Sequence, residues 1–115
     1  MHLSHLHQQH QKLQAHFVNF HSWDMPLHYG SQIDEHQQVR QDAGIFDVSH
    51  MGQLTIEGEG ATKFLEKLTP STFSTLKENV AKYTVLMNED GGIVDDLIVT
   101  KLGDEKYFAV VNGAC

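Results

Sequence analysis

The spacing of hydrophobic and polar residues changes near residue 52, and this change predicts two differently built regions. Within residues 1–18, mostly apolar side chains recur at helical spacing and predict a short amphipathic helix: Leu3, Leu6, His10, Leu13 and Phe17. Residues 20–30 are aromatic and loop-like, and Pro26 biases the residue before it toward an extended backbone.

A second helix is predicted by its end signals over residues 31–43. Ser31 can cap its start, and Asp34 stands three residues later, where an acid can return the capping bond. Gly44 follows as a residue suited to a left-handed helix end. Residues 45–49 are then predicted to be a short extended segment.

From Gln53 onward the pattern is that of strands joined by turns. Leu54 and Ile56 alternate with polar neighbours, which is the period of a half-buried strand. A helix is predicted over residues 61–68, and further strands over residues 83–87, 93–100 and 107–111. The turns between the last three strands are short, so these strands should pair antiparallel. The prediction is an α+β fold, with an antiparallel sheet and a helix on one face. The predicted boundaries are residues 1–51 and 52–115.

The composition of the chain argues against several classes of function. The chain has 115 residues and a formal net charge of −7, which argues against binding to nucleic acid or to an anionic membrane surface. The single cysteine, Cys115, gives no intramolecular disulfide, and no apolar run is long enough for a membrane span. These features favour a cytoplasmic protein.

The residue pair Asp95-Asp96 is the first candidate for chemistry, because it stands between the apolar stretches 93–94 and 97–99. Neighbouring strand residues point to opposite faces, so one of the two acids should face inward or into a cleft. A carboxylate in apolar surroundings has a raised pKa and can move a proton or orient an amine. The alternative is that both acids are solvated at the end of a hairpin.

Nine histidines are a second unusual feature, and four of them lie in the first ten residues: His2, His5, His7 and His10. Their spacing does not give the pair of a zinc-binding helix, and no cysteine lies nearby. A solvated, frayed terminus is the simpler interpretation. Metal binding is an alternative that a metal lost on deletion of residues 1–10 would support. We expect no metal site.

Four stretches of the chain resemble the T-protein family, the folate-dependent aminomethyltransferases of the glycine cleavage system. They are residues 23–31 (WDMPLHYGS), 42–51 (DAGIFDVSHM), 88–99 (NEDGGIVDDLIV) and 110–112 (VVN). The stretches stand in the family's order, and the resemblance covers about residues 6–115. The chain departs from the family pattern at Asn19 and at His21-Ser22, before Trp23.

The resemblance implies a fold and a reaction. The fold is a three-domain cloverleaf that binds folate at its centre, in which residues 1–51 begin the first domain and residues 52–115 form most of an inserted second domain. Tetrahydrofolate would attack the aminomethyl carbon carried on the lipoyl arm of H-protein. Ammonia would leave, and 5,10-methylene-tetrahydrofolate and the reduced lipoyl protein would form. A eukaryotic source would place the protein in the mitochondrial matrix.

The resemblance also assigns residues. The first acid of the pair, Asp95, would carry the chemistry by orienting and deprotonating the reacting nitrogens. Met51 would contact folate, and Lys82, Val111 and Asn112 would line the pterin pocket.

Two alternatives to this enzyme function remain open. One is a folate-binding relative without the reaction, such as the folate domain of dimethylglycine or sarcosine dehydrogenase or a folate-binding factor of iron–sulfur assembly. The other is a non-catalytic interaction module with an exposed apolar surface. Because the chain stops directly after an apolar strand, we expect it to be part of a longer protein and to be inactive alone.

Overall fold

The computed structural model describes residues 1–114, which divide into two compact units, Met1–His50 together with Ala114, and Met51–Gly113. The first unit contains two helices and three strands: β1 (His2–Leu3), α1 (His7–Lys12), β2 (His16–Phe20), β3 (Trp23–His28) and α2 (Gln32–Gln41). The second contains one helix and four strands: β4 (Gly52–Glu57), α3 (Ala61–Leu68), β5 (Ala81–Met87), β6 (Ile93–Gly103) and β7 (Lys106–Val111). None of the helices among residues 1–114 is long and apolar enough to cross a membrane.

The first unit is built differently from its sequence prediction. Its sheet has the order β1-β3-β2, with β1 parallel and β2 antiparallel to β3. The predicted helix is confined to α1, and the predicted loop contains β3. The reason is the two-residue turn between β2 and β3, where His21 and Ser22 take φ values of 47° and 70°. Such turns normally carry Asn or Gly, so the sequence gives no signal for this hairpin.

Helix α2 begins as predicted and ends earlier than predicted. The Ser31 side chain accepts a hydrogen bond from the Asp34 backbone N–H at 3.2 Å. The carboxylate that reaches back across the helix start is Glu35, which accepts from the Tyr29 N–H at 2.7 Å. Gly44 does not take the predicted left-handed conformation. Gly44 instead avoids a steric clash, since a Cβ there would lie 2.4 Å from a Val39 methyl carbon.

The segment that follows α2 pairs with no strand. No helix or strand is assigned to residues 42–51, so the segment expected to be extended over residues 45–49 does not join a sheet in the described structure. Side-chain contacts rather than backbone pairing hold this segment to its unit, as described below.

The second unit has the predicted α+β fold. Its sheet has the order β4-β7-β6-β5 with every neighbouring pair antiparallel, and α3 spans the predicted residues. Gly60 precedes α3 with a φ of 93°, a conformation that favours glycine. Gly60 has no side chain to cap the start of α3. The turn between β6 and β7 provides the cap instead, because Glu105 accepts a hydrogen bond from the Thr62 N–H at 2.8 Å.

The core of the second unit lies on the side of the sheet that carries α3, which we call the helix face. Buried side chains from α3, the loop after it and the two central strands meet there: Ala61, Leu65, Phe73, Leu97, Val99, Tyr107 and Ala109. Phe73 and Tyr107 pack edge to face with ring centroids 5.8 Å apart. The loop contributes Phe73 because Glu66 accepts hydrogen bonds from the Phe73 and Ser74 N–H groups.

Neighbouring positions on α3 test this arrangement. Leu65 is 1% exposed and Phe64 is 52% exposed. Replacing Leu65 by alanine is expected to lower the free energy of unfolding by about 2–5 kcal/mol, because it leaves a cavity in the core. Urea unfolding followed by circular dichroism measures the loss. Phe64→Ala is the matched control and should cost less than about 1 kcal/mol; equal losses would contradict the assigned helix face.

Candidate functional site

The two acids of the pair are held together by one side chain at the end of the second sheet. The Asn112 amide nitrogen donates to Asp95 Oδ1 at 2.9 Å and to Asp96 Oδ1 at 2.5 Å. Because carboxylates only accept hydrogen bonds, the nitrogen rather than the oxygen of the amide must face them. Alternation along β6 would separate the two acids, but both stand beyond the last β6–β7 pair, Leu97 with Val111. Their carboxylates can therefore converge on the residue that follows β7.

Asp96 is more fully engaged than Asp95. Its Oδ2 accepts a short hydrogen bond from the Tyr83 hydroxyl, and its backbone carbonyl also lies 3.2 Å from the Asn112 nitrogen. Hydrogen bonds from Tyr83 and then Asn112 lower the pKa of Asp96 below its ordinary value. The hydrogen bond between Tyr83 and Asp96 also raises the pKa of the Tyr83 hydroxyl. The raised pKa expected for a carboxylate here is therefore wrong for Asp96, which is held as an anion.

Asp95 makes one side-chain hydrogen bond in the described part of the chain, through Oδ1 to Asn112. Its second oxygen, Oδ2, has no protein hydrogen bond among residues 1–114. The pair thus contains one anchored carboxylate and one with an acceptor oxygen available to a ligand. Both acids are partly exposed rather than sealed in the core.

The predicted pocket residues Lys82 and Val111 are not members of this hydrogen-bonded group. Lys82 pairs with Val99, four residues from Asp95 along β6 and thus about 13 Å away, and its ammonium donates to the Thr72 carbonyl at 3.4 Å. Val111 lies on the helix face, where it packs against the core. The structure therefore brings Asp95 and Asn112 together, and places Lys82 and Val111 outside this group.

Met51 lies at the same end of the sheet as the acids. It precedes Gly52, which pairs with Val111, so continuing the β4–β7 register by one residue places Met51 opposite Asn112. Gly52 is needed for this close approach of strands, since a Cβ there would lie 2.7 Å from a Val111 methyl carbon. An adaptable apolar side chain thus stands beside the polar cluster.

The part played by Tyr83 does not follow from the sequence. The register of β5 and β6 pairs Tyr83 with Ile98. Both residues lie on the face of the sheet opposite α3, which we call the open face. Tyr83 is 66% exposed and Ile98 is 42% exposed. The alternation of apolar residues along β5 could have indicated the face, but the hydrogen bond to Asp96 depends on a strand pairing that the sequence does not display.

A second polar cluster, in the first unit, is centred on His10. One ring nitrogen of His10 lies 2.7 Å from Asp47 Oδ2 and the other lies 2.7 Å from the Tyr29 hydroxyl. Asp47 also accepts from the Ser4 hydroxyl and from the Ser49 N–H, both at 2.9 Å. The cluster ties the irregular segment after α2 to the beginning of the chain.

These contacts correct the prediction of a solvated, frayed terminus. His7 and His10 are buried, with 9% and 6% of their surface exposed. Burial acts to raise the pKa of Asp47, but the hydrogen bonds from His10, Ser49 and Ser4 outweigh it and hold that pKa far below its usual range. Among residues 1–114, no group of three or more histidine, cysteine, aspartate or glutamate side chains is arranged to hold a metal ion.

A groove in the first unit borders the His10 cluster and has a volume of about 940 Å³. Its lining is mostly apolar and includes Leu6, Leu27, Val39 and Phe46. Phe46 is 70% exposed, so the groove leaves apolar surface in contact with water.

Comparison with known proteins shows which proteins this chain resembles. A family described as the GCVT N-terminal domain matches residues 6–115. An aminomethyltransferase of Halothermothrix orenii is 46% identical over 105 residues, which are 91% of this chain and 29% of that protein. An aminomethyltransferase of Francisella tularensis is 50% identical over 107 residues, which are 93% of this chain and 30% of that protein. The chain thus spans about 30% of the length of these relatives.

Solved structures give the same result. The crystal structure of glycine cleavage system aminomethyltransferase T from Bartonella henselae matches with a TM-score of 0.94 and 38% sequence identity. The match covers 98% of this chain and 32% of the Bartonella chain. At this identity and coverage, the resemblance found in the four sequence stretches is confirmed.

The Asp47 cluster predicts an acid-sensitive first unit. Because the folded-state pKa of Asp47 is depressed, its contribution to stability is present above the unfolded value of about 3.9 and is lost as the pH falls below it. Asp47→Asn is expected to lower the free energy of unfolding at pH 7 by about 1–3 kcal/mol and to flatten this pH dependence. Urea unfolding at pH 3–7, followed by the fluorescence of Trp23, measures both.

The control for this experiment is Asp42→Asn in the same segment, where the carboxylate is exposed and accepts one bond from the Gln38 side chain. It should change neither quantity by more than about 0.5 kcal/mol. An Asp47→Asn variant as stable as the parent protein would contradict the anchoring role.

Proposed function

The chain belongs to the GCVT N-terminal domain family, and on that premise we propose that it takes part in aminomethyl transfer during glycine cleavage. The substrate is the aminomethyl group carried on the lipoyl arm of H-protein, and the acceptor is tetrahydrofolate. A folate nitrogen attacks the methylene carbon and the carbon–sulfur bond to the lipoyl arm breaks. Ammonia leaves as the second folate nitrogen bonds to the same carbon, giving 5,10-methylene-tetrahydrofolate and the reduced lipoyl protein.

The observation that carries this proposal is the asymmetric acid pair at the end of the second sheet. A reaction that moves protons between nitrogens and expels ammonia needs a carboxylate close to the reacting centre to orient N–H groups and balance positive charge. Asp95 offers an acceptor oxygen that no residue among 1–114 occupies, whereas Asp96 is bound on both of its oxygens. We assign the catalytic role to Asp95 and the anchoring role to Asp96.

The neighbouring residues suit a flat heterocyclic ligand. Met51 supplies an adaptable apolar contact opposite Asn112, and Tyr83 and Ile98 add exposed apolar surface on the open face. The amide oxygen of Asn112 is left as an acceptor, because its nitrogen is occupied by the acids. Lys82 and Val111 remain proposed pocket residues only through family resemblance. Lys82 lies well along the sheet from the acids, whereas Val111 lies at their end of the sheet and packs on the helix face.

The two units fit the proposed place of the chain in a folate-binding cloverleaf. The division of the structure falls between His50 and Met51, one residue from the boundary expected from the sequence. We propose that residues 1–51 begin the first domain and that residues 52–115 form most of the inserted domain. A cytoplasmic or matrix location is consistent with the reaction.

A non-catalytic interaction module is the second candidate function, and the apolar groove of the first unit favours it. Ile45 is 99% exposed beside Phe46, which is unusual for a chain that works as an isolated monomer. This candidate predicts association with another protein and no dependence of that association on Asp95.

Titration of tetrahydrofolate into the chain tests the folate site. Saturable binding is expected, with Asp95→Asn weakening it about tenfold or more, because a hydrogen bond to a charged group is lost without a change of shape. Isothermal titration calorimetry under anaerobic conditions gives the affinity. Asp104→Asn, at an exposed turn of the same unit, is the control and should bind like the parent. A stronger effect of Asp96→Asn than of Asp95→Asn would reverse the assigned roles.

Turnover by the 115-residue chain is a separate question. With aminomethylated H-protein and tetrahydrofolate, we expect little or no ammonia release, because the chain spans about 30% of the length of its relatives. A coupled ammonia assay, with a full-length aminomethyltransferase as positive control, measures the rate. Turnover close to that of the control would overturn this expectation.

A further inference from the structure

A continuous chain of hydrogen bonds runs across three strands of the second sheet at the candidate site. It passes from the Tyr83 hydroxyl on β5 to Asp96 on β6, then to the Asn112 amide after β7, and returns to Asp95 on β6. In this series of hydrogen bonds, Tyr83 contacts Asp96 and not Asp95. Asp95 is thus the terminal member, and its position depends on the members before it.

The chemistry of the amide restricts what this arrangement can do. An amide nitrogen carries two hydrogens, and here they face two carboxylates of the same strand. Two neighbouring anions repel each other, and a donor placed between them offsets that repulsion and fixes their separation. Asn112 could not be replaced in this role by aspartate, which has the same shape but no donor and would bring a third negative charge.

From this geometry we infer that Asn112 is a positioning residue, which ties Asp95 to the anchored Asp96 and thereby presents the free oxygen of Asp95 to an N–H group of the folate substrate. The inference rests on the proposed function and deepens it, because it gives Asn112 a role through Asp95 in addition to any contact of its own with the ligand. In this role the affinity gained from Asn112 depends on Asp95 being present.

A purely structural role for Asn112 makes a different prediction. If the residue only closed the end of β7, its loss would weaken the fold and would affect ligand binding equally with or without the Asp95 carboxylate. Asn88 provides the comparison, because its side chain accepts a hydrogen bond from the Gly92 N–H at 2.7 Å and holds the turn between β5 and β6.

A double-mutant cycle separates the two roles. Tetrahydrofolate affinity is measured by calorimetry for the parent chain, Asn112→Ala, Asp95→Asn and the double variant, with circular dichroism to establish folding. We expect Asn112→Ala to weaken binding about tenfold in the parent and less than about twofold in the Asp95→Asn background. Asn88→Ala should show no such dependence. Equal effects of Asn112→Ala in both backgrounds would overturn the inference.

A second measurement keeps the inference separate from the folate proposal. The three-bond scalar couplings of Asp95 in isotope-labelled protein report whether its χ1 angle occupies one rotamer. Asn112→Ala and Asn112→Asp should convert a single rotamer into an average, while Asn88→Ala leaves it unchanged. If the parent chain binds no tetrahydrofolate, the folate proposal for this chain fails. The scalar couplings alone then test the positioning role of Asn112. An Asp95 rotamer that is unchanged in both Asn112 variants would overturn the positioning role.

Discussion

The register of β7 is the constraint on which the second unit depends. This strand lies between β4 and β6, and its pairing with each fixes which residues stand side by side at the end of the sheet. Val111 is the last paired residue on both sides, so the residue after it can turn its side chain toward the acids. A slip of one residue would send every side chain of β7 to the opposite face, removing Tyr107 from the core and Asn112 from the acids.

The same strand therefore serves stability and the site. Tyr107 and Ala109 are fully buried against α3, and the free energy gained there holds β7 in one register. The polar residues beyond the ladder gain little stability of their own, since they are partly exposed and must compete with water. Their positions are fixed by the packing of the core, which holds β7 in register. This explains how two anions can be kept side by side on one strand without being buried.

The second unit follows its sequence prediction closely and the first does not, for a physical reason. In the second unit, glycine-marked turns separate strands with clear alternation, and α3 buries Ala61 and Leu65 on one side, so local signals agree with the final fold. In the first, β2 and β3 meet through a turn of His21 and Ser22 that lacks the usual residues, and a histidine-rich stretch conceals buried positions. The bond between His10 and Asp47 joins residues far apart along the chain, which no local pattern reports.

The candidate site was predicted only in part. Asp95 was found because an acid pair inside an apolar strand is unusual, and family resemblance then selected the first acid. The split of the pair into an anchored and an available carboxylate needed the positions of Asn112 and Tyr83, which come from strand pairing. Lys82 was assigned by resemblance alone, and its place opposite Val99 lies well along the sheet from the acids.

The contact between Gly52 and Val111 links two positions that are distant in the sequence. A methyl group added at residue 52 would collide with the Val111 side chain, at the point where Met51 and Asn112 come beside each other. The pair must therefore share one fixed volume, and natural variation at either position should be correlated. A lineage that acquired alanine at residue 52 would need a shifted or smaller side chain at residue 111, so an ordinary packing contact would leave a record in the sequences of relatives.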